Sequence, residues 1–185
     1  MLKLIDGSPV CVGDGRSGFN ALQGARATYT VGDFNGDMLQ DLVTSDFSCT
    51  VRCFRQSAGP LDSKTPTFYA GIDLGKMASR AVPAAADWNG GGRLDVVVAS
   101  SASNVAVFLN REEQDGASPF ETARPIPLAD SPYGSGGPVI VTDYNGDGDP
   151  DIILQTAYGY MCFYEHSFIT SGYAQGEVIS IEQKP

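Results

Sequence analysis

Positive charge is scarce in this chain: twelve Lys and Arg stand against 22 Asp and Glu, for a formal net charge of −10 and a pI near 4.3. That balance argues against a phosphate backbone, and so against nucleic acid, as a partner. Long apolar runs are missing too. None approaches the ~20 residues of a membrane span, and the opening "MLKLIDGSPV" has too short an apolar stretch for a secretory signal. The expectation is that a signal has been removed or that the chain is a piece of something larger. No segment sustains helical periodicity. There is one His, and the four Cys do not fall at zinc spacing. Nucleophile elbow, phosphate loop and dinucleotide fingerprint are all lacking. What remains is 185 residues, enough for one core, with 22 Gly and 11 Pro. So many turn formers suit an all-β fold.

The acids that are present are clustered. "VGDFNGDMLQDLVTSD" (31–46), "AADWNGGGRLDVVVAS" (85–100) and "VTDYNGDGDPDIILQT" (141–156) share one pattern, with leading Asp at 33, 87 and 143. Each is followed, 12 or 13 residues after its last Asp, by an apolar run ending in Phe54, Phe108 or Phe163. On that alignment Cys53 and Cys162 both take the place of Val107, as small buried hydrophobes. A regular period decides the fold before local propensity does. Each unit of about 55 residues reads as four short strands: 26–32, 41–45, 50–55 and 67–74; then 81–86, 94–99, 104–109 and 120–128; then 138–142, 151–156, 160–165 and 177–182. Four strands in that length match a β-propeller blade.

Counting Asp143 as position 1, oxygen-bearing side chains fall at positions 1, 3, 5 and 9. Such a ladder surrounds one hard cation, and without a cation the carboxylates repel one another. An EF-hand starts the same way, but it needs a Glu at position 12 and flanking helices. Position 12 is Thr44, Val98 and Leu154, in strand-like sequence, so the loop joins two strands.

With Asp-x-Asn-x-Asp-Gly-x-x-Asp before a strand, and two variants of it, the chain resembles the FG-GAP or VCBS type of repeat, found in the propeller blades of integrin α-subunits and of secreted microbial proteins. The resemblance implies calcium, up to three ions. The implied ligands are Asp33, Asn35, Asp37 and Asp41 in loop 1; Asp87, Asn89 and Asp95 in loop 2; and Asp143, Asn145, Asp147 and Asp151 in loop 3. The carbonyls of Leu39, Arg93 and Asp149 would complete the sets. Loop 3 matches fully, loop 1 has Met38 where the motif has Gly, and loop 2 has Gly91 in place of the middle Asp. The expected affinity order is third, first, second.

These readings divide the chain, as a single propeller-type domain, into a partial blade (1–24) and blades at 25–78, 79–133 and 134–185. Three blades do not close a ring, so other copies or other propeller segments are expected as partners. The leading reading is a non-catalytic, calcium-stabilised binding or assembly module outside the cell. Loops 56–66, 110–118 and 166–176 would offer it a carbohydrate or protein ligand. The alternatives are a fragment of a propeller-type carbohydrate-active enzyme, using His166 with Tyr158, Tyr160 or Tyr164, and a structural subunit of a larger assembly. A Cys11–Cys49 disulfide rests on availability alone.

Overall fold

The architecture follows from strings of β-branched residues broken by the acidic loops, and is seen in a computed structural model. It describes residues 3–4, 28–45, 48–58, 66–79, 81–100, 105–111, 118–128, 135–156, 161–167 and 177–179. β1 (Lys3–Leu4) is followed by the first of three repeat units, given the label blade for its propeller-like sheet: β2 (Thr28–Gly32), β3 (Asp41–Ser45), β4 (Thr50–Phe54), β5 (Gln56–Ser57), β6 (Thr67–Phe68) and β7 (Ile72–Lys76). The second blade holds β8 (Ala81–Ala86), β9 (Asp95–Ser100), β10 (Val105–Phe108) and β11 (Arg124–Ile126). The third holds β12 (Ser135–Thr142), β13 (Asp151–Thr156), β14 (Met161–Tyr164) and β15 (Glu177–Ile179). The result is three four-stranded antiparallel sheets, β2-β3-β4-β7, β8 to β11 and β12 to β15, with a small sheet β1-β6-β5 beside the first. Among the described residues no sheet closes on itself.

Two of the expected strands are redrawn. The fourth strand of blade 1, expected over 67–74, splits: Thr67–Phe68 pairs with β5 and β1, and Ile72–Lys76 pairs with β4. Gly71 lies at the break. A Cβ there would meet the Phe54 ring at 2.7 Å, so the chain can cross that ring only without a side chain. In blade 2 the span 120–128 shortens to Arg124–Ile126, and Phe120 makes only a bridge with Asn110. Of 1–24, only Lys3–Leu4 are described, and they pair with β6 in parallel. Cys11, Tyr158, Tyr160 and most of the expected contact loops lie outside the described residues.

Blade 3 also corrects an alignment. The cross-strand pairs Leu42 with Phe54, Val96 with Phe108 and Ile152 with Tyr164 are equivalent, each joining residues one and thirteen positions after the last loop Asp. Tyr164, not Phe163, therefore corresponds to Phe54 and Phe108. Cys53 and Val107 correspond to Phe163, and Cys162 sits one place earlier on the opposite face. Because side chains alternate, a one-residue slip exchanges the faces.

Two apolar layers form between the sheets. Val43, Val51 and Cys53 of blade 1 face Val96, Val98 and Phe108 of blade 2. The other face of blade 2, with Val97, Val105 and Val107, meets Ile152, Leu154, Cys162 and Tyr164 of blade 3. Blade 2 is covered on both sides, which is why "DVVVAS" is an unbroken apolar run and every residue of β9 is buried. The first strands lie side by side, β2 and β12 each next to β8. The Thr28 hydroxyl donates to the Ala81 carbonyl at 2.5 Å and ties the first two together.

Candidate metal centre

Each acidic loop joins the first strand of a blade to the second, so all three open at the same end of the sheets. The backbone alternates handedness to make the loop. Position 4 is left-handed at Gly36, Gly90 and Gly146 (φ 79°, 69° and 83°), and position 6 at Met38, Gly92 and Gly148 (φ 67°, 79° and 96°). Glycine adopts this conformation freely, whereas a Cβ crowds the backbone. Met38, which stands where the motif has Gly, therefore carries backbone strain.

The leading Asp gathers the loop's own amides. Asp33 accepts from Gly36 and Asp37 on one oxygen and from Met38 on the other (2.7, 3.2 and 2.8 Å). Asp143 does the same with Gly146, Asp147 and Gly148 (2.7, 3.1 and 3.1 Å), and Asp87 with Gly91 and Gly92 (2.9 and 2.7 Å). The Asn at position 3 accepts from the position-5 amide in every loop: Asp37 to Asn35, Gly91 to Asn89 and Asp147 to Asn145. In loops 1 and 3 the Asn amide also donates to the fifth Asp, at 2.9 Å to Asp37 and to Asp147. Gly91 leaves loop 2 without that bond. At position 7, Leu39 and Asp149 donate their amides to the fifth Asp, and Arg93 is half-buried.

The ninth residue is different. Asp41, Asp95 and Asp151 are among the most buried side chains of the molecule. One oxygen of each accepts from the amide of the aromatic at position 2: Phe34 at 3.1 Å, Trp88 at 3.0 Å and Tyr144 at 3.0 Å. The other accepts from the amide fifteen residues later: Gln56 at 2.8 Å, Asn110 at 2.7 Å and His166 at 3.0 Å. This Asp fastens its loop to the exit of the third strand. The position-2 aromatics, Gln56 and Asn110 were not singled out from sequence, and His166 was singled out only as a catalytic candidate. The aromatics recur visibly as Phe, Trp and Tyr, but the +15 partners contribute a backbone amide, which leaves no side-chain signature.

Two of those residues, Asn110 and His166, also latch one loop to the loop before it. The Asn110 side-chain Nδ2 donates to the Leu94 carbonyl in its own blade (3.0 Å) and to the Phe34 carbonyl in blade 1 (2.6 Å). His166 repeats the arrangement: its Nδ1 lies 3.1 Å from the Pro150 carbonyl, and its ring packs at a tilt of 48° against Trp88 of blade 2, centroids 4.5 Å apart. A carbonyl only accepts, so Nδ1 carries the hydrogen. Tyr164, offered as a catalytic companion of His166, is buried between blades 2 and 3. Open clefts separate the loops. One of about 630 Å³ lies between loops 1 and 2, beside Asp33, Asn35, Asp87 and Arg93. Another of about 310 Å³ lies between loops 2 and 3, beside Trp88, Asp143, Asp149 and His166.

Asp41 and Asp95 shift in one direction, Asp33 and Asp147 in the other. Burial pushes Asp41 above the ordinary Asp range, against the Gln56 and Phe34 amides, with Asp37 and Asp33 adding repulsion. Burial likewise raises Asp95 against the Asn110 and Trp88 amides, and Asp87 adds to the rise. For Asp33 the desolvation is outweighed by the amides of Met38, Gly36, Asp37 and Asn35, and its value falls. The Asp149 amide and the Asn145 side chain hold Asp147 low. Burial raises the Cys53 thiol to about 12 and lifts Cys162 as well, so both are inert packing groups.

As placed, no three His, Cys, Asp or Glu side chains among the described residues converge as a metal-holding group. The donor set nonetheless fits a hard cation in kind. Every candidate atom is an oxygen, and an ionised carboxylate offers about four lone-pair sites, more than its amide bonds consume.

The FG-GAP-like repeat pattern matches residues 33–98 and again residues 87–154, so the two matches overlap on loop 2 and run from loop 1 into β13. The chain belongs to the FG-GAP-like repeat family. Comparison with curated proteins and with solved structures found no significant match. Among the described residues no helix is long and apolar enough to cross a membrane.

Proposed function

We propose that the three loops bind calcium and that the chain is a non-catalytic, calcium-braced propeller segment acting outside the cell, as a binding or assembly module. The observation that carries this reading is the threefold recurrence of one oxygen ladder, at the same end of three equivalent sheets. Asp33, Asn35 and Asp37, with their counterparts at 87–89 and 143–147, would hold the ion from the exposed side. The buried Asp41, Asp95 and Asp151 would hold it from within.

Calcium would act here as a brace. Modules of this kind bind with dissociation constants of about 0.1 to 1 mM, so each site adds roughly 0.4 to 1.4 kcal/mol at about 1 mM calcium. A carboxylate raised by burial is also one that gains from a nearby cation, which offsets the cost of ionising Asp41 and Asp95. Titration calorimetry is expected to show calcium binding, and a chelator to lower Tm by several degrees. An unchanged Tm together with no binding heat would remove the metal from this reading.

A further inference from the structure

Each acidic loop carries the same dipeptide at positions 3 and 4: Asn35-Gly36, Asn89-Gly90 and Asn145-Gly146. An Asn followed by Gly is prone to one reaction. With no Cβ on the next residue, the Gly backbone nitrogen can swing onto the Asn side-chain carbon Cγ, and the side-chain amide is lost. Sequence makes the three sites alike in this respect, but the fold does not.

In loops 1 and 3 both reacting groups are tied. The attacking nitrogen donates to the leading Asp, Gly36 to Asp33 and Gly146 to Asp143, each at 2.7 Å. The departing side-chain nitrogen donates to the fifth-position Asp, Asn35 to Asp37 and Asn145 to Asp147, each at 2.9 Å. Loop 2 lacks both ties. Asp87 reaches past Gly90 to the amides of Gly91 (2.9 Å) and Gly92 (2.7 Å), and among the described residues nothing accepts from the Gly90 nitrogen. Gly91 has no side chain to hold the Asn89 amide. What loop 2 keeps is the bond that favours attack. The Gly91 amide donates to Asn89 Oδ1 at 2.8 Å, against 3.2 and 3.0 Å in loops 1 and 3, and draws electrons away from Cγ. Asn89 is exposed, and the chain after it runs through Gly90, Gly91 and Gly92, with open space where the Cβ atoms of Gly90 and Gly92 would stand.

We infer that Asn89 is a site of spontaneous deamidation, and that loop 2 ages ahead of loops 1 and 3. The Gly90 nitrogen gives its proton to solvent and bonds to Asn89 Cγ. The Cγ–Nδ2 bond breaks, and Nδ2 takes up a proton and leaves as ammonia. Water then opens the cyclic imide. Attack at Cγ leaves Asp, and attack at the main-chain carbonyl carbon leaves isoaspartate, with the backbone running through Cβ. Either product adds a carboxylate to the loop whose fifth-position acid is missing. Isoaspartate also lengthens the backbone by a methylene and moves the Gly91 and Gly92 amides out of register with Asp87. The inference goes beyond the calcium reading and does not rest on it.

Incubation of the full chain in chelator and heavy-oxygen water, at neutral pH and physiological temperature, tests the inference. Mass spectrometry of the three loop peptides reads the conversion of each Asn, and the incorporated oxygen marks only what forms during incubation. A hydrogen bond to a carboxylate, present in loops 1 and 3 and absent in loop 2, corresponds to about tenfold in rate, which is the lead expected for Asn89 over Asn35 and Asn145. Equal rates, or a slower Asn89, overturn the inference. In denaturant the three are expected to convert alike, since each is followed by Gly. An order that persists in the unfolded chain would place its cause in neighbouring residues rather than in the fold, and overturns the inference as well. Gly91→Asp offers the Asn89 amide the acid it lacks and is expected to slow its conversion severalfold in the folded chain. An unchanged rate overturns the account of why loop 2 leads. Every arm is run in chelator, so no outcome depends on calcium binding by the loops.

Discussion

Within each loop, positions 1 to 5 and position 9 behave as two separate devices, although sequence presents them as one ladder of acids. The first five residues form a turn whose carboxylates tie up nearby amides in water. Its composition varies: Gly91 replaces an Asp at position 5, and at the adjoining position 6 Met38 replaces a Gly. The ninth is always Asp, always buried, and bonded on both oxygens to amides at the two ends of its blade's first three strands. The comparison teaches that the motif's most buried acid is bonded into the fold itself, with or without a cation.

The strongest way to break this distinction is to truncate one acid from each part of the same loop. Asp95→Ala strips the acceptor from the buried Trp88 and Asn110 amides and leaves a void, and removing a partner in that way costs about 3 kcal/mol or more. Asp87→Ala exposes its amides to water, and its cost in chelator is expected to stay within about 1 kcal/mol. Denaturant unfolding of both variants in chelator measures the gap. Equal losses would show that the ladder is one device after all.

Loop 2 sharpens the comparison from the exposed side. Gly91→Asp restores the fifth-position acid present in the other loops. Its Cβ would come within 2.6 Å of Asn89 Oδ1, the end of an exposed side chain. That side chain can move aside, as in loops 1 and 3, where the Asn donates to the same Asp. One more carboxylate on a divalent ion is expected to tighten the weakest site about tenfold, or about 1.4 kcal/mol, read as a change in one class of sites by calorimetry. Unchanged binding would mean that the exposed acids do not touch the ion.

Much of this was legible in advance. The period, the first three strands of every blade and the strand-to-strand setting of the loops follow from alternating apolar runs broken by turn residues, and these are local signals. The blade 3 alignment was not. "YMCFY" offers two adjacent aromatics, and only pairing with Ile152 shows that Tyr164 takes the place of Phe54 and Phe108. The double bonding of the ninth Asp was hidden as well. Its distant partners are backbone amides of Gln56, Asn110 and His166, three unrelated residues that share only a distance along the chain. The split of β6 from β7 depends on one close approach, of Gly71 to the Phe54 ring, which no periodicity reports.

The smallest expected effect isolates the exposed turn from both the metal and the buried acid. Met38 is exposed and held at φ 67°, where the Gly residues of loops 2 and 3 sit at 79° and 96°. Its amide still donates to Asp33, and its side chain adds little burial, so what distinguishes loop 1 here is backbone strain of about 1 to 2 kcal/mol. Met38→Gly removes that strain but loosens the unfolded chain by up to about 1 kcal/mol. The net expected gain is a few tenths to about 1 kcal/mol, measured by denaturant unfolding in chelator. If calcium grips loop 1, the same change should also raise its affinity, because the turn no longer resists the geometry that the ion requires. A stability gain without an affinity gain would place the strain in the fold alone. A loss of stability would mean that the left-handed turn at position 6 is held by something other than the strain argument allows.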